Sequence, residues 1–320
     1  MTSKPCGPDK PALGFSIRVF GRELPSHDAR PWPAEASLSM SLACVRDIML
    51  YLRANGIHMY RLHSGVLPYS SERTLAELLQ EIAYCHSQLA EVGALARMAD
   101  IRLSFHPYSA IVLNALNEEQ AQCSSERVTA LAALLDAMDL GPEAVIVLHV
   151  GGVYDDPQRA RERFVRRYEA LPPQVKERLA LEQDDRRFSH ADTRWIHERC
   201  GIRLLFDNLH HLVLNPEGVP PHSALAYCLA TWPPGVRPKI HFATPRTEMR
   251  LIEGTSRIKV PTWTEHSDFV NPFQFIAFLR EMGELPPFDI MLEAKARDLA
   301  LLKLRQDLAR FAPDLAAHLC

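Results

Sequence analysis

Short apolar runs rich in β-favouring residues alternate along the chain with longer segments whose apolar residues recur at helical spacing. Eight runs have strand character: 13–19, 57–62, 101–105, 144–149, 179–182, 202–206, 239–242 and 288–292. Between them the spacing predicts helices over 37–54, 71–99, 124–138, 157–170, 189–200, 272–282 and 296–311, several entered through Ser, Asp or Pro. Strands that alternate with helices are joined by crossovers and run parallel. Eight such units fit a single (β/α)8 TIM barrel better than an open sheet. No linker divides the chain, and the Pro-Pro pairs at 172–173, 220–221, 233–234 and 286–287 stand as loop punctuation before helices or strands. The expected organisation is an irregular or disordered segment over 1–12 followed by one barrel over 13–320.

Composition narrows the class. The chain has 36 Lys+Arg against 39 Asp+Glu, a net charge of −3, so any nucleic-acid contact must come from a local cationic surface. Seven scattered cysteines without a C-x-x-C pair suggest reduced thiols and a cytoplasmic protein. The polar, Pro-containing N-terminus lacks the apolar core of a signal peptide, and no apolar stretch is long enough to span a membrane. No obligate protein partner is implied.

In a barrel of this kind active sites form at the C-terminal ends of the strands, which makes the residue ending each strand the informative one. Those ends carry His106, His149, Glu182, Asp207 with His210 close behind, His241, and Glu293; His266 lies in the loop before the eighth strand. Carboxylates gathered at one mouth repel one another, and each is costly to bury unless partnered. Divalent cations resolve the conflict. A mixed nitrogen and oxygen donor set suits Mn2+ best among the expectations, with Fe2+ or Zn2+ as alternatives. Eight donors exceed the needs of one ion, so two or three ions sharing carboxylates are expected, at the spacing of about 3.5–4 Å used to cleave phosphate esters. Val150-Gly151-Gly152-Val153 matches no nucleotide-binding loop and reads as close backbone approach beside His149. The remaining histidines read as surface or packing residues, with His211 undecided.

Several segments together resemble the UV damage endonucleases, metal-dependent (β/α)8-barrel enzymes of DNA repair. They are Leu148-His149-Val-Gly-Gly-Val-Tyr154, Leu181-Glu182-Gln-Asp184-Asp185, Phe206-Asp207-Asn-Leu-His210-His211, Pro238-Lys239-Ile-His241, His266-Ser-Asp268 and Leu292-Glu293-Ala294-Lys295-Ala-Arg-Asp298. Their order and spacing agree over residues 14–301. The resemblance implies hydrolysis of a phosphodiester 5′ to a lesion in double-stranded DNA by metal-activated water, leaving a 3′-hydroxyl. It places the family's metal ligands on the eight donors reached above. It implies catalytic roles for His149, Glu182, Lys239 and Glu293, with Lys239 a carboxylated lysine near the metals.

The recognition half has diverged. Where the family has Gly-Gln followed by an aromatic after the His-Pro of the third strand, this chain has Tyr108-Ser109-Ala110. Phe15 replaces a first-strand Tyr, residues 17–22 offer no Asn, and Arg-x-Ser-Ser-Asp becomes Arg61-Leu-His63-Ser64-Gly65. Expected DNA contacts are Arg186 and Arg187 beside Glu182, Arg246, Arg250, Arg257 and Lys259 in the loop before His266, and Tyr108 stacking on a base. The rival reading keeps the barrel and its metals but turns them on a small molecule or peptide, as an isomerase, hydrolase or iron oxygenase. A non-catalytic binding protein would leave so complete a donor set without a use.

Overall fold

The structure, a computed structural model, describes residues 10–28, 37–68, 73–107, 111–154 and 156–320. Eight parallel strands form the barrel: β1 (Leu13–Ser16), β2 (Met59–Leu62), β3 (Arg102–Phe105), β4 (Ile146–His149), β5 (Leu179–Glu182), β6 (Arg203–Leu205), β7 (Lys239–Phe242) and, after a small antiparallel ribbon of β8 (Arg250–Leu251) and β9 (Ile258–Lys259), β10 (Asp289–Leu292). The spatial order is β6-β5-β4-β3-β2-β1-β10-β7, and a parallel bridge between Asp207 and His241 joins β6 to β7 and closes the ring. The fold is the expected (β/α)8 barrel. All eight predicted strand runs contain an observed barrel strand, with frayed ends trimmed.

Strand alternation sorts the side chains. Leu13, Phe15, Tyr60, Leu62, Leu103, Phe105, Ile146, Leu148, Leu179 and Leu181 point outward into the large core shared with the helices. Each fully buried residue of this size contributes about 1.5–3 kcal/mol. Their neighbours point inward and, joined by Trp232 from the segment between β6 and β7, fill the lumen with two smaller clusters, Val145, Val147, Ala180, Leu205 and Trp232, and Ala12, Met59 and Met291. Arg102 closes the floor: it donates to Asp289 Oδ2 at 2.8 Å and, with Arg203, lies over the Trp232 ring. A column that begins apolar at the floor continues two residues later at the mouth. Val147 leads to His149, Ala180 to Glu182, Leu205 to Asp207, and Met291 to Glu293.

Helix boundaries depart from the expected ones for local reasons. The segment expected as one helix over 71–99 is two, Leu75–Tyr84 and His86–Met98, broken at Cys85; the first starts from a capping box of Thr74 and Glu77. The helix expected from 124 begins at Glu118 because Asn117 caps it. A short helix, Asn208–Val213, that the strand-end reading left out follows β6, and its cap is Asp207 itself. No described helix is long and apolar enough to cross a membrane. Cys320 is disulfide-bonded, so the expectation of seven reduced thiols does not hold there.

Candidate metal centre

The eight candidate donors form one connected cluster at the C-terminal mouth of the barrel. Glu182, fully buried at the end of β5, is its hub. Its Oε2 lies 3.0 Å from His106 Nε2 and 3.8 Å from His149 Nε2, and its Oε1 lies 3.0 Å from His241 Nδ1 and 3.3 Å from His210 Nδ1. Glu293, after β10, is the second hub, with Oε1 3.4 Å from His241 Nδ1 and Oε2 3.6 Å from His266 Nδ1. Asp207 joins through His210, whose backbone N–H donates to Asp207 Oδ1 at 2.8 Å as the cap of the short helix. The His106 and His241 rings stack at 5.6 Å between centroids.

Backbone carbonyls orient the imidazoles. His210 Nδ1 lies 2.9 Å from the Gln183 carbonyl and His266 Nδ1 2.8 Å from the Glu293 carbonyl. A ring nitrogen tied to a carbonyl leaves the other turned elsewhere, the usual support for a metal-binding histidine. Two groups the sequence reading did not select complete the support. Arg61 Nη1 donates to Glu293 Oε1, and Gln183 Nε2 donates to the Asp207 carbonyl at 2.9 Å. The available signal was alternation, since Arg61 is a charged residue between Tyr60 and Leu62 and therefore faces the lumen.

The electrostatics follow from burial and neighbours. Burial alone would push Glu182 up, but His241 and His149 beside it, with hydrogen bonds from His106 and His210, hold its carboxyl well below the usual carboxylate range. Burial likewise opposes Glu293, and Arg61, His241 and His266 hold it well below. Asp207 is raised by burial. His106 is lowered to about 4 by burial and stays neutral, the form that ligates a metal.

Three overlapping trios place one donor atom each within 4.8 Å of one another: His106, His241 and Glu293; His106, His149 and Glu182; Glu182, Asp207 and His241. Asp207 Oδ2 and His241 Nε2 are buried with no hydrogen-bond partner among the described residues. An orphaned carboxylate oxygen and an orphaned imidazole nitrogen in the same trio are what a divalent cation would satisfy. The residues present fit such a group.

The remaining candidates are placed as follows. Lys239, two residues before His241 on the same inward column, is fully buried, and its Nζ donates to Ser104 Oγ at 3.0 Å. Arg186 and Arg187 are exposed and line a cavity of about 430 Å3 together with His149, His210, Gly151 and Tyr154. Arg246 corrects an expectation. It is 2 % exposed and its Nη2 holds Asp268 Oδ1 at 2.6 Å, so it is a structural cation and is withdrawn as a DNA contact. Arg250 and Lys259 pair with Asp268 and Glu265 at 3.1 and 2.5 Å. Tyr108 lies outside the described residues. His211 is a packing residue whose Nε2 meets the Val219 carbonyl at 2.8 Å, and His27 and His190 are buried rather than on the surface.

An eight-stranded parallel barrel whose mouth gathers imidazoles around buried carboxylates defines the class: a (β/α)8 protein with a candidate centre for divalent cations. The chain belongs to the UV-endonuclease UvdE family, whose sequence model matches residues 34–315. Among its relatives, the UV DNA damage endonuclease of Bacillus velezensis is 29 % identical over 262 residues, covering 81 % of this chain and 77 % of the relative. That of Halalkalibacterium halodurans is 29 % identical over 271 residues, covering 84 % and 80 %. The crystal structure of SacUVDE superposes with a TM-score of 0.77 at 27 % identity, covering 93 % of this chain and 98 % of that one. A 3-keto-D-glucoside 4-epimerase from E. coli, at 14 % identity and a TM-score of 0.55, shares the fold alone.

Proposed function

We propose that this chain is a divalent-cation-dependent DNA-repair endonuclease that hydrolyses a phosphodiester 5′ to a lesion in duplex DNA, leaving a 3′-hydroxyl. Family membership supports the reaction class, and one observation supports the chemistry: the three donor trios share members. Glu182 and His241 each belong to two of them, as does His106. A carboxylate has two oxygens to share, so Glu182 between two trios suits two or three ions, with Mn2+ preferred and Fe2+ or Zn2+ as alternatives. When bound, such ions lower the pKa of coordinated water and neutralise charge building on the phosphate.

The chain's own groups do the rest. His106, His149 and Glu182 would hold one ion and Glu182, Asp207 and His241 a second, with Glu182 as the shared carboxylate, while Glu293 would serve a third. Arg61 keeps Glu293 ionised and fixed in place. Lys239 is pushed well below 10.5 by burial, with Arg102 and Arg61 adding to the effect. A neutral amine is the form that adds carbon dioxide, so the environment suits the carboxylated lysine that the resemblance implies. Arg186 and Arg187 stand where they can take backbone phosphates while the cavity beside His149 takes the neighbouring nucleotide.

The test is nicking of UV-irradiated against undamaged supercoiled plasmid with Mn2+ present, at two salt concentrations. Preferential nicking of the irradiated plasmid is expected. Failure to nick either plasmid by a protein that retains bound metal would favour a small-molecule substrate instead.

A further inference from the structure

Six of the eight barrel strands lead into candidate cation donors, and β1 and β2 do not. The last inward positions of these two strands carry Ser16 and Arg61, which are Cα partners across the β1–β2 ladder. Alternation turns both toward the lumen, since Phe15, Tyr60 and Leu62 point out to the core. Arg297 reaches the same place from the turn after β10, where its Nη1 donates to Ser16 Oγ at 2.7 Å. Arg18 is exposed two residues past Ser16, with its backbone N–H donating to the Ser16 carbonyl at 2.8 Å. One side of the mouth therefore gathers guanidinium groups where the rest gathers imidazoles and carboxylates.

Strained backbone holds this cluster. Arg297 has φ +54° and Ile17 φ +74°, left-handed positions that side-chain-bearing residues keep only where the surroundings over-determine them. Asp298 supplies the constraint: its carboxylate accepts from the Phe20 N–H at 2.7 Å, the Gly21 N–H at 2.9 Å and the Tyr51 hydroxyl at 2.8 Å, tying the loop after β1 to the start of the last long helix. Asp298 is thereby committed, and Glu293 is committed to Arg61 and the donor cluster. Arg22 and Glu23, further along the loop, are exposed and opposite in sign. Among the described residues neither Arg18 nor Arg297 has an ion pair, and Arg61 Nε is buried with no hydrogen-bond partner. Burial, with Arg61 and Arg18 nearby, works against the charge on Arg297, while Glu293 and Tyr60 oppose the effect. A guanidinium keeps its proton in a protein, so the arrangement favours an incoming anion.

We infer that Arg297, with Arg18 beside it and Arg61 behind it, is a subsite for a backbone phosphate of the substrate, and that a DNA strand lies across the mouth between this subsite and Arg186–Arg187. This rests on the endonuclease reading above and assigns the strand's second anchor. β1 and β5, the strand that leads to Arg186 and Arg187, stand opposite each other in the ring, with three strands between them either way round. The candidate centre lies between the two sides: Glu182 ends β5, and Glu293 is held by Arg61 beside β1. A phosphodiester over the cluster thus has cations placed for the phosphate before it and the phosphate after it. Guanidinium is the group suited to that task, because its planar fork matches two phosphate oxygens at once.

The test neutralises phosphates one at a time. A lesion-bearing duplex carries a single methylphosphonate at successive positions around the cleaved bond, and kcat/KM is measured for the full-length, Mn2+-loaded parent, Arg297→Gln and Arg186→Gln. In the parent, one position on each side of the cleaved bond should lower kcat/KM about tenfold or more, as loss of a charge-assisted hydrogen bond does. Arg297→Gln should lose its sensitivity on one side only, and Arg186→Gln on the other side only. With chelator present, the logarithmic dependence of binding on salt, read by fluorescence anisotropy, should fall by about one in Arg297→Gln and return in Arg297→Lys. A merely structural role for Arg297 would lower the melting temperature and leave the parent's pattern of sensitive phosphates intact, which overturns the subsite. Loss of the same position in both variants overturns it as well. Should Arg297→Gln not fold, Arg18→Gln takes its place and should weaken the same-side position, with full sensitivity there overturning the subsite. A parent that neither binds nor cuts the duplex overturns the endonuclease reading and the subsite together, whereas a parent that cuts but is sensitive on one side only overturns the subsite alone.

Discussion

Glu182→Gln is the sharpest perturbation of the candidate metal centre. The change preserves volume at a fully buried position and removes one charge, so its effect is electrostatic. Four imidazoles now lie within 3.0 to 3.8 Å of the two carboxylate oxygens. An amide offers one acceptor oxygen, and its NH2 faces a ring nitrogen or a cation with the wrong polarity. A hydrogen bond to a charged group is worth about 1.5–3 kcal/mol, and at least two contacts of that kind are lost, giving about 3–6 kcal/mol. Converted at about 1.4 kcal/mol per decade, cation binding should weaken roughly 10²- to 10⁴-fold. Because Glu182 belongs to two donor trios, the loss should extend to more than one ion. The assay is metal content by mass spectrometry after dialysis against a chelator, with calorimetric titration of Mn2+ into the stripped protein and circular dichroism to confirm folding. A folded variant that keeps the parent's metal content and affinity would refute the assignment of Glu182 as hub.

Other expectations address the frame around the centre. Gly151 has φ +113°, and a Cβ there would meet Asn114 Oδ1 at 2.3 Å, while Asn114 is fixed by bonding both the N–H and the C=O of Gly152; Gly151→Ala should cost about 1–3 kcal/mol in denaturant unfolding, and an unchanged midpoint would contradict the crowding. Arg246→Ala should lower stability by about 1–3 kcal/mol and leave the salt dependence of DNA binding alone, whereas Arg186→Ala and Arg187→Ala should each reduce the salt slope by about one and leave stability alone. The opposite pattern would return Arg246 to the DNA surface. Burial, with His211 and Arg194 nearby, lowers His190 from 6.5 to about 4. The unfolded chain therefore binds the extra proton first, so stability is full above pH 6.5 and falls as pH drops toward about 4, by about 3 kcal/mol for this residue. A His190→Gln variant should flatten that part of the pH–stability curve, and one with the parent's slope would refute the assignment.

The barrel was legible because its strands carry an outward period that must be apolar, as in Leu103 and Phe105 or Leu179 and Leu181. The metal-binding residue types were legible because an imidazole or carboxylate at the last inward position of a strand departs from the Val, Ala and Met that fill the lumen below it. What stayed hidden depends on contacts across the ring. Arg61 meets Glu293 only once β2 and β10 flank β1, and nothing near Arg61 in the chain announces a carboxylate. The burial of Arg246 was equally invisible, since a cation in a polar loop looks solvated until Asp268 folds back on it. Asp207 misled in another way. Its local role as a helix cap uses one oxygen, and the strand-end pattern that selected it concealed the short helix it starts. The ribbon escaped notice because β8 and β9 are two residues each, too short for a period to show.

Because β10 lies between β1 and β7, the last strand to be synthesised is also the stave that joins the first strand to the seventh. Glu293 rides on that stave. A chain still emerging from the ribosome, or one frayed at its C-terminal end, lacks the second hub and leaves Arg61 without its carboxylate. Closure of the ring and completion of the donor cluster are thereby one event, so an unfinished molecule holds at most part of the candidate centre.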